Sequence, residues 1–304
     1  MAIVNSAKNP LFNTDSTYYY FDDCDFIFHS TYYVKTPLFK IYSKFFFEKM
    51  IPQIIHYCWF GGNPLPESAK KCIASWRKFL PDYEIWQWSE KPLNENEQDL
   101  FDKILPFDVN SIPYTQQAYE AKKYAFVSDY ARFWILYKYG GLYFDTDVEI
   151  IKPLDDIIER GPFMGIEVRA KEGEYPQVAP GLGLGVTPGH ELYKVLLDKY
   201  ATLRFLNEDG TLNQKTIVKY NTEVLQEQGL LPSNDLQKVA GVWIYPADYF
   251  NPLDSLTGKL KLTDNTRSIH WYMNSWSDSS AFRQWLSRMS HRLFGTKLHQ
   301  LKHK

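Results

Sequence analysis

The pattern of hydrophobic and polar positions from residue 53 to residue 145 predicts strands and helices in alternation. An apolar run over residues 53–60 ends at a pair of glycines, which predicts a buried strand followed by a turn. Apolar residues recur at helical spacing over residues 67–79, and the next segment, residues 83–88, alternates as a strand does.

A long segment over residues 116–139 predicts one continuous helix ended by Gly140 and Gly141, and a short strand over residues 142–145 follows at once. Beyond this point the pattern predicts strands at residues 182–186, 242–245 and 268–271, and helices at residues 191–205 and 215–228. Strands that alternate with helices are typical of an α/β sheet, so we expect that fold class.

Both ends of the chain differ from the middle. Residues 1–49 are crowded with Tyr and Phe without a clear period, so we interpret them as an extension, either an accessory segment or sequence upstream of a start at Met50. Residues 281–304 carry six Lys or Arg and no acid, and their apolar residues recur at helical spacing. They predict a basic amphipathic tail that packs on the domain or touches a membrane surface. The expected domain itself spans residues 50–280.

Composition and charge narrow the choice of partners and location. The formal net charge of -2 argues against a nucleic-acid partner, since such domains usually carry a basic footprint. Three cysteines without metal-type spacing favour reduced thiols, and the first residues do not read as a secretory signal. We therefore expect a cytoplasmic protein. Of the two alternatives for the tail, membrane contact would place it peripherally on the cytoplasmic face of the inner membrane.

The most informative feature is Asp145-Thr146-Asp147, directly after the apolar strand that follows Gly140 and Gly141. Residues i and i+2 of an extended chain point to one side, so both carboxylates can converge on one centre. Two close carboxylates repel each other unless a cation or a proton lies between them, and hard oxygen ligands suit Mg²⁺ or Mn²⁺. Open α/β sheets bind ligands at the carboxyl ends of their strands, which favours a functional site here.

Other segments add candidate groups around this pair. Asp129 and Arg132 lie three residues apart on the preceding helix and share a face, either as an internal salt bridge or as contacts to a polar ligand. Trp59 precedes a glycine turn and could stack a nucleobase, while His56 reads as a buried, hydrogen-bonded histidine. His270, at the end of a strand-like stretch, could be a neutral imidazole ligand.

Taken together, these segments resemble the family-32 glycosyltransferases, capsule- and polysaccharide-type enzymes with an Asp-x-Asp sugar-binding region, which are related to the catalytic domains of glucosylating toxins. The similarity covers residues 50–276 and rests on the segments IPQIIHYCWFGGNPLP, SDYARFWILYKYGGLYFDTDVEIIKPL and HWYMNSW. It implies a GT-A fold, meaning an α/β domain of the Rossmann-like type with a mixed central sheet and flanking helices. It also implies a nucleotide-sugar donor, for which we expect a UDP-hexose, and Mn²⁺ or Mg²⁺.

The resemblance also assigns roles to the matching residues. The implied catalytic residues are Asp129, Arg132, Asp147 and Trp276. The implied donor-binding residues are Trp59, Tyr143, Asp145 and Ser275, and the implied metal ligands are Asp145, Asp147 and His270. In this assignment Asp147 is the firmest ligand, Asp145 is shared between ribose and metal, and Ser275 and Trp276 form a loop that closes over the diphosphate.

One departure concerns the acceptor side. Related enzymes often carry an Asn in the strand that corresponds to PGLGLGVTPGH, where this chain has Gly181, Gly183 and Gly185. The resemblance therefore leaves acceptor recognition open.

The sequence thus predicts a retaining, metal-dependent glycosyltransferase. It would move a hexosyl unit to a glycan or lipid-linked oligosaccharide in capsule, exopolysaccharide or O-antigen-type synthesis. Two alternatives stay open, a carbohydrate-binding protein without catalysis and an effector that glycosylates a host protein. A sugar-phosphate nucleotidyltransferase fits poorly, since the turn after the first strand, Gly61-Gly62-Asn63-Pro64, has no adjacent Arg or Lys for a phosphate loop.

Overall fold

The computed structural model describes residues 50–91 and 100–273. The predictions for residues 1–49, for Ser275 and Trp276 and for the tail at 281–304 lie outside the described residues. Within the described ranges, no helix is both long enough and apolar enough to cross a membrane.

Eleven strands are found in the described part of the chain. They are β1 (Ile54–Cys58), β2 (Glu84–Ser89), β3 (Lys103–Pro106), β4 (Gly141–Tyr143), β5 (Val148–Ile150), β6 (Phe163–Val168), β7 (Gln177–Ala179), β8 (Leu184–Val186), β9 (Gln237–Val239), β10 (Val242–Tyr245) and β11 (Ser268–His270).

The same ranges contain seven helices. They are α1 (Glu67–Phe79), α2 (Pro113–Glu120), α3 (Tyr124–Tyr139), α4 (Asp155–Arg160), α5 (Glu191–Ala201), α6 (Ile217–Glu227) and α7 (Ala247–Phe250).

The central sheet is mixed. Its order is β3-β2-β1-β4-β8-β6-β10-β9, with β7 paired to β6, and a separate ribbon joins β11 to β5. Strands β1 to β4 run parallel, and β8 is antiparallel to both β4 and β6. The carboxyl ends of β1, β2 and β4 therefore meet at one edge of the sheet, where open α/β sheets place their ligands.

Helices cover both faces of this sheet. Along β4 and the residue after it, Leu142 and Phe144 pack on the face with α1, α4 and α7, while Tyr143 packs on the face with α2, α3, α5 and α6. This alternation is the two-residue period of an extended chain, and it buries both faces. The predicted α/β class, with a mixed central sheet and flanking helices, is confirmed.

The prediction of one continuous helix over residues 116–139 is wrong. Helix α2 ends in a Schellman-type turn, where Lys123 N–H donates to Ala118 O at 2.9 Å and Lys122 N–H donates to Tyr119 O at 2.9 Å. Lys122 has a φ of 57°, in the left-handed region that glycine usually fills at this position. Because this position is a lysine and not a glycine, the sequence gives no sign that the helix ends here.

Several short elements were missed by the sequence pattern. These are β3, β5, β6, β7, β9, α4 and α7, all of them only three to six residues long, which is too short for a period to show. The predicted strand at 142–145 and helix at 191–205 end earlier, at Tyr143 and Ala201.

Helix α1 fixes the strand that follows the acidic pair. The fully buried Trp76 donates its indole N–H to Val148 O at 2.8 Å, and Ile150 N–H donates to Ser75 Oγ at 2.9 Å. These bonds occupy backbone groups of β5 that the short β5–β11 ribbon does not satisfy, so α1 holds the start of β5 in place.

We predict that Trp76→Ala lowers the free energy of unfolding by about 3–5 kcal/mol, because it leaves a core cavity and an unpaired Val148 carbonyl. Urea denaturation followed by circular dichroism measures this change. Lys71→Ala, on the exposed face of the same helix, is the matched control and should stay within about 0.5 kcal/mol of wild type. Equal midpoints for the two variants would contradict the assignment of Trp76 as a core anchor.

Candidate active site

The acidic pair lies at the carboxyl edge of the sheet, in the turn between β4 and β5. Val148 N–H donates to Asp145 O at 3.0 Å, which closes a tight turn through Asp147. The expectation that an extended chain aims both carboxylates is therefore wrong. The turn brings them together, and Asp145 N–H is anchored to Gly181 O at 3.1 Å.

A histidine completes a cluster of three potential ligands. One ligand atom each from Asp145, Asp147 and His270 lies within 4.8 Å of the others. The ribbon explains this proximity, because β11 pairs antiparallel with β5 and sets His270 opposite Val148. All three side chains are partly accessible, with 30%, 18% and 13% of the side chain exposed. Two carboxylates and one imidazole at this spacing fit a divalent cation.

Asp147 is the most firmly held member of the cluster. Its Oδ1 lies 3.0 Å from His270 Nε2, its Oδ2 accepts from Met273 N–H at 2.9 Å, and its backbone O accepts from Trp271 N–H at 2.9 Å. Burial raises the pKa of Asp147, but the imidazole and the Met273 N–H outweigh it and leave the pKa below its ordinary value. Burial lowers the pKa of His270, but the carboxylates of Asp147, Asp145 and Glu167 together outweigh it and leave the pKa above its ordinary value.

The other carboxylate is balanced by a buried arginine. Arg132 Nη1 lies 3.1 Å from Asp145 Oδ1 and donates to Pro180 O at 3.0 Å, while Nη2 lies 3.4 Å from Asp129 Oδ1. Burial raises the pKa of Asp145 above its ordinary value despite the guanidinium, and it raises the pKa of Asp129 to about 7. Asp129 and Arg132 thus form the internal salt bridge that was one of the two alternatives predicted from the sequence. The roles of Asp129 and Arg132 toward a donor sugar stay predictions.

Tyr143 and Gly181 shape the pocket around Asp145. The Tyr143 ring lies under the guanidinium, 4.8 Å from Arg132 Cζ, and its hydroxyl donates to Asp145 Oδ1 at 3.4 Å. A Cβ on Gly181 would overlap Asp145 Oδ2, so only glycine leaves room for the carboxylate in this rotamer. Gly181 therefore serves the acidic pair, whereas the sequence singled it out only for acceptor recognition.

Trp59 and His56 lie on β1 and the residues directly after it. Trp59 is half-buried after the strand, on the carboxyl edge, and donates its indole N–H to Asn63 O at 2.6 Å. His56 is fully buried, with Nε2 2.9 Å from Gly140 O and Nδ1 accepting from Trp88 Nε1 at 3.1 Å. His56 is the buried, hydrogen-bonded histidine that the sequence predicts. The stacking role of Trp59 stays a prediction, as does the place of Tyr143 beside a nucleotide.

Two further residues near the cluster were missed by the sequence reading. The Tyr272 ring contacts the His270 ring at a tilt of 55°, with centroids 4.2 Å apart, and its hydroxyl donates to Glu167 Oε1 at 3.1 Å. Glu167 lies on β6, which the pattern did not predict, so no signal linked it to the site.

Comparison with protein families agrees with this geometry. Residues 66–164 match the model described as the glycosyltransferase sugar-binding region containing the DXD motif. The matched segment includes α3, β4, the acidic turn and β5, and so holds Arg132, Asp145 and Asp147 but not His270. Residues 66–164 are therefore similar to the sugar-binding region of glycosyltransferases.

Two of the curated relatives come from Schizosaccharomyces pombe (strain 972 / ATCC 24843). Inositol phosphoceramide mannosyltransferase 1 is 31% identical over 38% of this chain and 33% of its own length. Inositol phosphoceramide mannosyltransferase 3 is 30% identical over 47% of this chain and 38% of its own length. The chain thus spans about a third of the length of these relatives. The matches confirm the predicted enzyme class, a transferase of the glycosyltransferase type, for the matched region.

Solved structures include one of mouse xyloside xylosyltransferase 1 in its apo form. It is 12% identical, with a TM-score of 0.46, and the match covers 73% of this chain and 98% of the mouse chain.

We predict that Gly181→Ala weakens Mn²⁺ affinity by about 10-fold or more, because the added methyl group displaces the Asp145 carboxylate. Titration of free Mn²⁺ by electron paramagnetic resonance measures it. Gly173→Ala is the control, since its Cβ would meet open space and only its φ of 77° is strained. Indistinguishable affinities for the two variants would argue against a tight fit at Gly181.

Buried His56 predicts a specific pH dependence of stability. Burial lowers its pKa from 6.5 to about 3, so the unfolded state binds the proton more tightly, and stability is lost as pH falls below 6.5. Between pH 7 and pH 5, wild type should lose about 2 kcal/mol more unfolding free energy than His56→Gln. Urea titrations at each pH test this difference, and parallel pH profiles of the two proteins would refute it.

Proposed function

We propose that the protein is a metal-dependent, retaining glycosyltransferase that moves a hexosyl unit from a nucleoside-diphosphate sugar to an acceptor hydroxyl. The observation that carries this proposal is the cluster of Asp145, Asp147 and His270 at the carboxyl edge of β4, with Arg132 paired behind it. A glycan-binding protein that works without a cation does not account for two carboxylates held this close, which disfavours that alternative.

Asp145, Asp147 and His270 would hold Mn²⁺ or Mg²⁺, a Lewis acid that stabilises negative charge on the departing diphosphate. Asp147 is the primary ligand, since the imidazole and the Met273 amide already orient both of its oxygens. Asp145 is shared between the cation and the nucleotide ribose, because Arg132 and Tyr143 hold its carboxylate from the protein side.

The chain's own groups orient the donor. Trp59 offers its half-buried ring at the same edge as a platform for the nucleobase. Arg132 and Asp129 fix the wall of the pocket beneath the sugar. The loop with Ser275 and Trp276 would cover the diphosphate and exclude water.

In the transfer step, a bond forms between the acceptor oxygen and the anomeric carbon while the bond from that carbon to the diphosphate oxygen breaks. The electron pair leaves with the nucleoside diphosphate, and the acceptor proton passes to a departing phosphate oxygen on the same face. Retention follows from this same-face geometry, and no side chain is assigned as a covalent nucleophile.

The sugar is proposed from the names of the relatives, and the acceptor from the resemblance found in the sequence. The relatives are named inositol phosphoceramide mannosyltransferases. A nucleotide-activated mannose is therefore a candidate donor in addition to the UDP-hexoses. A glycan or lipid-linked acceptor in capsule, exopolysaccharide or O-antigen-type synthesis agrees with the resemblance noted in the sequence. Cytoplasmic location, with the basic tail at 281–304 against the inner membrane, belongs to the same proposal.

A donor screen tests the proposal. With Mn²⁺ present, wild type should release nucleoside diphosphate from one UDP- or GDP-hexose, and Asp147→Asn should reduce the rate at least about 100-fold, because it removes a charged ligand. Asp198→Asn, an exposed carboxylate on α5, is the matched control and should release at the wild-type rate.

The result that would contradict the proposal is release by Asp147→Asn at the wild-type rate with unchanged dependence on Mn²⁺. Release from no donor in the screen, by a protein shown to be folded, would favour the binding-protein alternative.

A further inference from the structure

The second residue after His270 adopts an unfavourable backbone conformation. Tyr272 lies two residues beyond β11 and has a φ of 51°, the left-handed region that costs a non-glycine residue roughly 1–2 kcal/mol. Strain of this kind persists only where neighbouring contacts hold it, and it clusters at functional sites.

The strained turn delivers three contacts to the cation cluster. Within it, Trp271 N–H donates to Asp147 O and Met273 N–H donates to Asp147 Oδ2, both at 2.9 Å. It also lays the Tyr272 ring against the His270 ring, with centroids 4.2 Å apart. The conformation of Tyr272 therefore positions both Asp147 and His270.

A single carboxylate on the central sheet anchors this turn. The Tyr272 hydroxyl donates to Glu167 Oε1 at 3.1 Å. Asn251, directly after α7, donates its side-chain N–H to Glu167 O at 3.0 Å and also contacts the Tyr272 hydroxyl. It therefore contacts both Glu167 and Tyr272.

Glu167 is aimed at Tyr272 by an irregularity in β6. Ile166 pairs with Val178 and Val168 pairs with Gln177, so Glu167 is the extra residue of a β-bulge. Bulges re-aim one side chain and are frequent next to active sites. The neighbouring Val168 is 48% exposed, while Glu167 turns toward the cluster and attracts His270 electrostatically.

We propose that Glu167 and Tyr272 form a positioning pair that sets the geometry of the cation site, with Glu167 fixing Tyr272 and Tyr272 fixing His270 and Asp147. Neither residue is a metal ligand in this assignment. The inference rests on the proposed function only in taking the cluster as a cation site.

The experiment is a double-mutant cycle read by Mn²⁺ affinity, measured without donor by electron paramagnetic resonance. Tyr272→Phe and Glu167→Ala should each weaken the affinity about 10- to 100-fold, as loss of a group that orients metal ligands does. The double variant should bind Mn²⁺ with the same affinity as the more strongly affected single variant, because both changes break the same contact. Glu167→Gln, which keeps an accepting oxygen, should restore most of the affinity.

Two exposed residues supply matched controls, Tyr175→Phe and Glu172→Ala, and both should bind Mn²⁺ as wild type does. Thermal unfolding checks that each variant is folded. Because Tyr272→Phe removes only one oxygen, this variant still tests the proposal if Glu167→Ala does not fold. Wild-type affinity in Tyr272→Phe, or additive losses in the cycle, would overturn the pairing.

Failure of this inference and failure of the proposed function give different results. If the cycle behaves as expected but no nucleotide sugar is cleaved, the positioning pair stands and the transferase proposal falls. If wild type and Asp147→Asn bind Mn²⁺ equally, the cluster is not a cation site and both are overturned.

Discussion

The mutual repulsion of two carboxylates in one tight turn is the constraint on which the site depends. Asp145 and Asp147 are held together only because positive or donating groups reach each of them separately. The buried guanidinium of Arg132 pairs with Asp145, and the imidazole of His270 with the Met273 amide holds Asp147. A divalent cation between the two carboxylates would complete the same balance of charge.

Each of these groups is delivered by a different part of the fold. Helix α3 brings Arg132 under the sheet edge, the β5–β11 ribbon brings His270 beside the turn, and α1 pins β5 through Trp76. The loop before β8 adds Gly181, whose missing side chain leaves space for Asp145. The site is thus built by the topology of the mixed sheet as much as by the local Asp-x-Asp sequence.

Local sequence signals were enough to predict the fold class and the central pair, because α1 has a clear helical period and the acidic pair follows an apolar strand. They failed where the decisive information was not local. Lys122 fills a turn position that normally shows as glycine, so α2 and α3 read as one helix. Glu167 and Tyr272 meet across a distance of more than one hundred residues, through a strand too short to show a period.

The most direct test of the account is the position of Mn²⁺ in crystals grown with Mn²⁺ and a nucleoside diphosphate. An anomalous difference map at the manganese edge should show a peak within coordination distance of the Asp147 carboxylate and His270, with Asp145 beside it. A map from fully soaked crystals with no peak at this turn, or with the only strong peak elsewhere, would contradict the account.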